Sequence, residues 1–215
     1  MKTIVAVCVY DRFENISEWI NCWKQCDTKN AELIIIHNYA SHEDVVKFKS
    51  LCDDNNITYI SRVNKGYDIG AFMDVCQGKI TILEDCEYLL WCTDDTIPMS
   101  KDFIARYIRK MKDGIGVVCM DIATYPEVRI PIHFRTTGFM IRKSTALLLR
   151  FPEEIKTKVD CYMMEYEGEN YFYKQITGMN LRVLMVDTPE KSPMWDKEHS
   201  RRGRSKEHRI VFPII

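Results

Sequence analysis

The chain has 215 residues, 46% of them hydrophobic, with 30 basic against 31 acidic side chains and a formal charge of −1. That length fits one domain, or two small ones, burying about 70% of the surface exposed on unfolding, and the apolar fraction excludes disorder. The near-zero charge excludes a histone-like attraction to nucleic acid, though not a local basic patch.

The first element, Thr3–Tyr10 (TIVAVCVY), is β-branched and continuously apolar, the pattern of a strand covered on both faces. It is too short for a signal peptide and ends in Asp11-Arg12 without a small-residue cleavage site. No later run approaches the ~20 apolar residues of a membrane span, so a cytoplasmic protein is expected. Asn15–Cys26 has Ile16, Trp19, Ile20 and Trp23 at helical spacing, with Asn15 as the expected N-cap. Ala31–His37 reads as a strand, Ser41–Asn55 as a helix, Ile57–Val63 as a strand and Ile69–Cys76 as a helix. Glu87–Cys92 follows as a buried strand, and Ser100 is the expected cap of a helix reaching Met111. Ile115–Ile122 is the next strand; Arg129–Arg142 predicts a strand or hairpin, Asn170–Gly178 a helix and Leu181–Val186 a last strand.

Alternating β and α segments imply an α/β fold with a mostly parallel sheet flanked by helices. The nine cysteines are odd in number, contain no C-x-x-C and sit largely in apolar runs, so reduced core thiols are expected rather than disulfides or a zinc site. Between Lys191 and Arg209 lie seven basic and three acidic side chains, leaving about −5 on the rest; the stretch reads as a mobile basic loop. The closing IVFPII is apolar for a chain end and predicts further domains of a longer chain.

In parallel sheets, ligands bind beyond the carboxyl ends of the strands. The first strand ends in Val9 and leads into Tyr10-Asp11-Arg12, an aromatic ring and two charges suited to a base and ribose. Asn38 follows the second strand. Beyond the third come Asn64-Lys65-Gly66-Tyr67-Asp68, where the glycine permits close backbone approach and Asp68 reads either as a ligand contact or as a helix cap. The fourth strand runs into Thr93-Asp94-Asp95-Thr96. Adjacent carboxylates after a buried strand are costly without partners, and as hard oxygen donors they suit Mg²⁺ or Mn²⁺. No P-loop, dinucleotide fingerprint, G-x-S-x-G or H-E-x-x-H occurs.

The order strand–YDR, strand–HN, NKGYDIGAF, LLWCTDDT, RTTGFMIRKS, EGENYFYKQ resembles the GT-A (Rossmann-like) nucleotide-sugar glycosyltransferases. NKGYDIGAF is similar to a segment of rhamnan-synthesis-type transferases, and TDDT to the acidic metal motif of the superfamily, with Thr93 at its first carboxylate position. Over nearly the whole chain the resemblance extends to the small N-terminal glycosyltransferase domains of chlorella-virus proteins that make capsid glycans.

That resemblance implies a single domain with a nucleotide-binding half (1–122), an acceptor and sugar half (123–190) and the basic loop (191–209). It implies a UDP-sugar donor carrying glucose or L-rhamnose, a glycan or glycoprotein acceptor, and Mn²⁺ or Mg²⁺. Val9, Tyr10, Asp11, Arg12, Asn38, Lys65 and Asp68 would cradle the nucleotide. Asp95 would ligate the metal with His199, and Asp94 would touch ribose or donor sugar. Arg135, Thr137, Gly138 and Trp195 are the expected sugar or acceptor contacts; Arg201, Arg202, Arg204 and Lys206 those to the diphosphate. Glu169 resembles the base of inverting relatives, while the overall resemblance leans to retention. Two other readings compete: a non-catalytic nucleic-acid-binding module using SRRGRSKEHR, with the salt dependence that entails, and a nucleotidyltransferase releasing pyrophosphate.

Overall fold

A computed structural model describes residues 2–125, 130–187 and 193–196. Seven strands form the central sheet: β1 (Thr3–Val9), β2 (Ala31–Tyr39), β3 (Thr58–Val63), β4 (Tyr88–Thr93), β6 (Ile115–Cys119), β9 (Gly138–Arg142) and β10 (Arg182–Met185). Their order is β10-β6-β9-β4-β1-β2-β3. Pairings β1–β2, β1–β4, β2–β3 and β10–β6 are parallel, while β9 runs antiparallel between β4 and β6. The expected α/β class, mostly parallel with helices on both sides, is the one observed.

Residue alternation explains both layers. Along β1, Ile4, Ala6 and Cys8 enter one core and Val5, Val7 and Val9 the other. The second core is covered by α1 (Phe13–Trp23), α2 (His42–Asp54) and α4 (Phe103–Lys110), through Ile16, Trp19, Ile20, Phe48, Phe103 and Tyr107. The first is covered by α3 (Tyr67–Cys76) and α7 (Phe172–Gly178), where Phe72 packs 5.2 Å from Trp91, 5.2 Å from Phe139 and 5.7 Å from Phe172. Truncating such a buried ring costs about 3–5 kcal/mol. All nine cysteines are free, seven of them buried.

Several boundaries differ from those expected. The cap of α1 is Arg12, because Asn15 lies inside the first turn and spends its amide elsewhere. The cap of α4 is Asp102; Ser100 contributes its carbonyl to Phe103 N, and its buried hydroxyl has no hydrogen-bond partner among the described residues. The strand expected to reach Ile122 ends at Cys119, and β7 (Ile122–Tyr125) leaves the central sheet to pair with β8 (Ile130–Phe134). Arg129–Arg142 therefore contains two strands, β8 and β9, in different sheets. Within the expected basic loop, Met194–Asp196 is a strand, β11, antiparallel to β5 (Thr96–Pro98) with Asp196 opposite Thr96. Three short elements fall outside the expected pattern: α5 (Lys143–Ala146), α6 (Lys158–Tyr162) and a π-helical turn, Met163–Glu167. No helix among the described residues is long and apolar enough to cross a membrane.

Candidate active site

From β1 the chain steps to β2 and β3 on one side and to β4 on the other, so the strand order reverses between β1 and β4. A crevice opens at such a reversal, outside the carboxyl ends of the strands. There the carbonyl of Cys8 accepts from Asp94 N at 3.0 Å and the carbonyl of Thr137 from Thr93 N at 3.1 Å, fixing the Asp94-Asp95 turn against β1 and the approach to β9.

Both aspartates are buried. Thr93 Oγ1 donates to Asp95 Oδ1 at 2.5 Å, Arg12 Nη1 stands 3.8 Å from Asp95 Oδ2, and Asn15 Nδ2 donates to Asp94 Oδ2 at 3.1 Å. Burial pushes the Asp94 carboxyl up to about 6, and the neighbouring Asp95 adds to the rise; Arg12 and Asn15 oppose it. Asp68 is likewise pushed up to about 6, chiefly by desolvation and then by Glu165, with Asp95 contributing. Four carboxylates thus lie about the crevice, and Arg12 is one cation close to the pair.

This donor set fits a small divalent cation. Mg²⁺-like ions are commonly held by one or two carboxylates, completing their shell with substrate phosphates and water. Among the described residues no group of three or more His, Cys, Asp or Glu side chains is placed to hold an ion by itself. Asp95, held by Thr93 and with Asp94 beside it, offers a carboxylate that suits such a shared site.

The remaining candidates separate into two groups. Tyr10, Asp11 and Arg12 are exposed at the crevice mouth, whereas the Val9 side chain is buried and leaves only its backbone for contact. Asn38 is buried and turned inward: Nδ2 donates to Tyr67 O at 2.9 Å and Oδ1 accepts from Arg62 at 2.6 Å. Lys65 is exposed and paired with Glu154 at 3.0 Å. The two glycines of NKGYDIGAF make room for protein backbone. A Cβ on Gly66 would meet Ile155 O at 2.6 Å and one on Gly70 would meet Lys65 O at 2.3 Å. Gly66 and Tyr67 have φ of 77° and 57°, a left-handed pair that sets Asp68 as the second residue of α3 rather than its cap.

Arg135 is half-buried, 3.9 Å from Glu165. Thr137 borders the crevice through its backbone. Gly138 is packed under Met120, whose Sδ would lie 2.4 Å from a Cβ there. Glu169 is exposed, just ahead of α7. Of that acidic segment, Glu165 is the member turned toward the crevice, accepting from Thr136 N and Oγ1 at 3.3 Å each. The sequence pattern passes over it, as it does Arg62, and marks Asn15 only as a cap. His199, Arg201, Arg202, Arg204 and Lys206 lie outside the described residues, as does the Trp195 side chain; the backbone of Trp195 pairs with Ile97.

No family model matches the chain, and no curated protein does. Solved structures resemble it in fold. A mannosyltransferase from Pyrobaculum calidifontis in complex with GDP-Man and Mn²⁺ aligns with TM-score 0.60 and 13% identity over 87% of this chain and 55% of its own. Glucosyl-3-phosphoglycerate synthase from Mycobacterium tuberculosis, in complex with Mn²⁺, UDP and glucosyl-3-phosphoglycerate, aligns with TM-score 0.56 and 11% identity over 86% of this chain and 68% of that one. A cytidylyltransferase from Leptospira borgpetersenii aligns with TM-score 0.53 and 9% identity over 90% of this chain and 78% of its own. The chain therefore spans about half the length of the mannosyltransferase it matches, and its fold is the GT-A fold.

Proposed function

We propose that the chain is a metal-dependent glycosyltransferase that moves glucose or L-rhamnose from a UDP-sugar to a glycan acceptor. The observation that carries this reading is the Asp94–Asp95 pair, buried at the reversal between β1 and β4 with Arg12 3.8 Å away. A diphosphate leaving group gathers negative charge as its bond to the sugar breaks, and catalysis is the stabilisation of that charge. A divalent cation, when bound, supplies most of it as a Lewis acid.

The chain's own residues bind and orient. Asp95 would hold the cation together with His199, Asp94 would contact ribose or the donor sugar, and Tyr10, Asp11 and Arg12 would contact uridine. Lys65 and Asp68 close the nucleotide site from the α3 side, with Asn38 bracing the turn between them. Arg135 and Thr137 face the transferred sugar, and Arg201, Arg202, Arg204 and Lys206 are assigned to the diphosphate. The rhamnan-type segment supports L-rhamnose as the sugar, and the overall GT-A resemblance supports retention of configuration. The chlorella-virus resemblance supports a place in viral capsid glycan synthesis, and a cytoplasmic location is part of the same proposal. Should the reaction invert instead, a carboxylate of the Glu165–Glu169 segment is the base.

Titration of UDP by calorimetry, with and without Mn²⁺, tests the metal assignment; equal affinity in both would sink it. A nucleotidyltransferase is the second reading, favoured by the shared fold of the cytidylyltransferase. Parallel incubations, one with a UDP-sugar and one with UTP plus a sugar 1-phosphate, separate the two, because sugar transfer from the first leaves UDP whereas nucleotidyl transfer from UTP leaves pyrophosphate.

A further inference from the structure

The segment Lys158–Glu167, α6 with its π-helical turn, carries two apolar stripes where a surface helix needs one. Cys161 and Met164 are buried, and Cys161 Sγ donates to Gly66 O at 3.6 Å, which seats the segment against the start of α3. On its other side Val159 and Met163 are 61% and 44% exposed. Tyr162 and Tyr166 are half-buried, their rings 5.4 Å apart and inclined by 32°. These four stand at i, i+3, i+4 and i+7, one face of a helix. The buried His133 ring of β8 lies 5.0 Å from Tyr166 and buttresses the pair from behind.

This face is continuous with the crevice. Glu165, next to Tyr166 in the chain, is held by Thr136 and faces Arg135 and Asp68. The surrounding charge also selects the occupant. Glu165, Glu167 and Glu169 crowd the same short stretch, the last two exposed. A purely apolar partner would strip water from these acids at a cost, and a polyanion would be repelled. A pyranose ring has an apolar C–H face for an aromatic ring and hydroxyl donors for carboxylates.

We propose that the Tyr162–Tyr166 face is the acceptor subsite, stacking the sugar rings of the glycan while Glu165 and Glu167 accept hydrogen bonds from its hydroxyls. The assignment rests on the glycosyltransferase reading above. The test is saturation-transfer NMR of the full chain with cellotriose and with xylotriose, beside a UDP titration in Mn²⁺. Wild type is expected to bind a trisaccharide, and the double variant Tyr162→Ala/Tyr166→Ala to bind it about tenfold or more weakly, the size of one well-packed aromatic contact. Tyr162→Phe/Tyr166→Phe, which keeps both rings, should recover most of the signal, and Val46→Ser, on the remote α2 surface, should change nothing. Thermal melting of each variant separates lost binding from lost fold. The proposal is overturned if neither trisaccharide binds wild type, if the double alanine variant binds as well as wild type, or if the chain sediments as a dimer that Tyr166→Ala dissociates. Trisaccharide binding lost in the alanine variant, without any UDP binding, would overturn the glycosyltransferase reading and leave the tyrosine face as a glycan site.

Discussion

The turns that follow β3 and β4 stand at the same edge of the sheet and are built on opposite plans. Beyond β3 the protein satisfies its own polar groups. Arg62 donates to Asn38 Oδ1, to Lys65 O and to Asp74 Oδ2, and Asn38 passes the link on to Tyr67 O. Both glycines there are filled against backbone. Beyond β4, two buried carboxylates lie side by side and share Arg12, with Asp68 and Glu165 adding further negative charge. A closed network is a frame, whereas crowded carboxylates draw a cation. The difference distinguishes what holds the crevice open from what fills it.

The strongest way to break that contrast is to remove one carboxylate from the acidic turn. Asp95→Ala is expected to lower UDP release from a UDP-sugar about 10³-fold, the size of a major electrostatic contribution, while the melting temperature stays at or above that of wild type. An active variant would remove Asp95 from the site. In the frame the expectation reverses. Arg62→Ala leaves Asp74 and Asn38 without their main partner and should cost about 3 kcal/mol in denaturant unfolding, whereas Arg62→Lys, lacking the fork, recovers only part. A neutral Arg62→Ala would show that the network does not hold the turn.

Smaller effects sharpen the same point. Asp94→Asn relieves like-charge repulsion in the metal-free protein and should stabilise it by about 1 kcal/mol at pH 7.5, a gain of about 2–4 °C for a chain of this size. Loss of stability would mean that Asp94 is already compensated. The pH dependence of the metal-free wild type is the gentlest probe. Carboxyls raised to about 6 in the folded state bind protons that the unfolded chain holds only near 4. Their contribution to stability is therefore fully present at low pH and is lost as pH rises through about 6. With chelator present, the protein should melt at a higher temperature at pH 5.5 than at pH 7.5, and saturating Mn²⁺ with UDP should cancel or reverse the order.

Much of this was legible in the amino-acid order, for a physical reason. Strands covered on both faces are continuously apolar, so β1, β2 and β4 announce themselves, and the residues after them follow by position alone. Asn15 misled because a residue suited to capping can spend its amide on Asp94, 79 positions away. Glu165 was hidden because no local pattern shows which of Glu165, Glu167 and Glu169 turns inward; contact with Thr136 decides that. Gly66 suggests close backbone approach by its residue type alone, and the space beside it is taken by the carbonyl of Ile155. Arg129–Arg142, expected as a strand or hairpin, holds two strands that do not pair with each other, because each finds its partners elsewhere.

The antiparallel β9 has a consequence for how the molecule comes into being. It lies between β4 and β6, so those two strands cannot meet directly, and the inner edge of β4 has no neighbour until residue 142 has been synthesised. During synthesis a fully apolar strand, LLWC at its centre, waits with its hydrogen-bonding edge open, a template for wrong pairing. Closing the sheet then requires a contact across about fifty intervening residues, which loop-closure entropy makes slow. Cleavage between Asp121 and Gly138 would cut β9 from its seat between β4 and β6, and the half left behind would be a strong candidate for aggregation rather than for independent life.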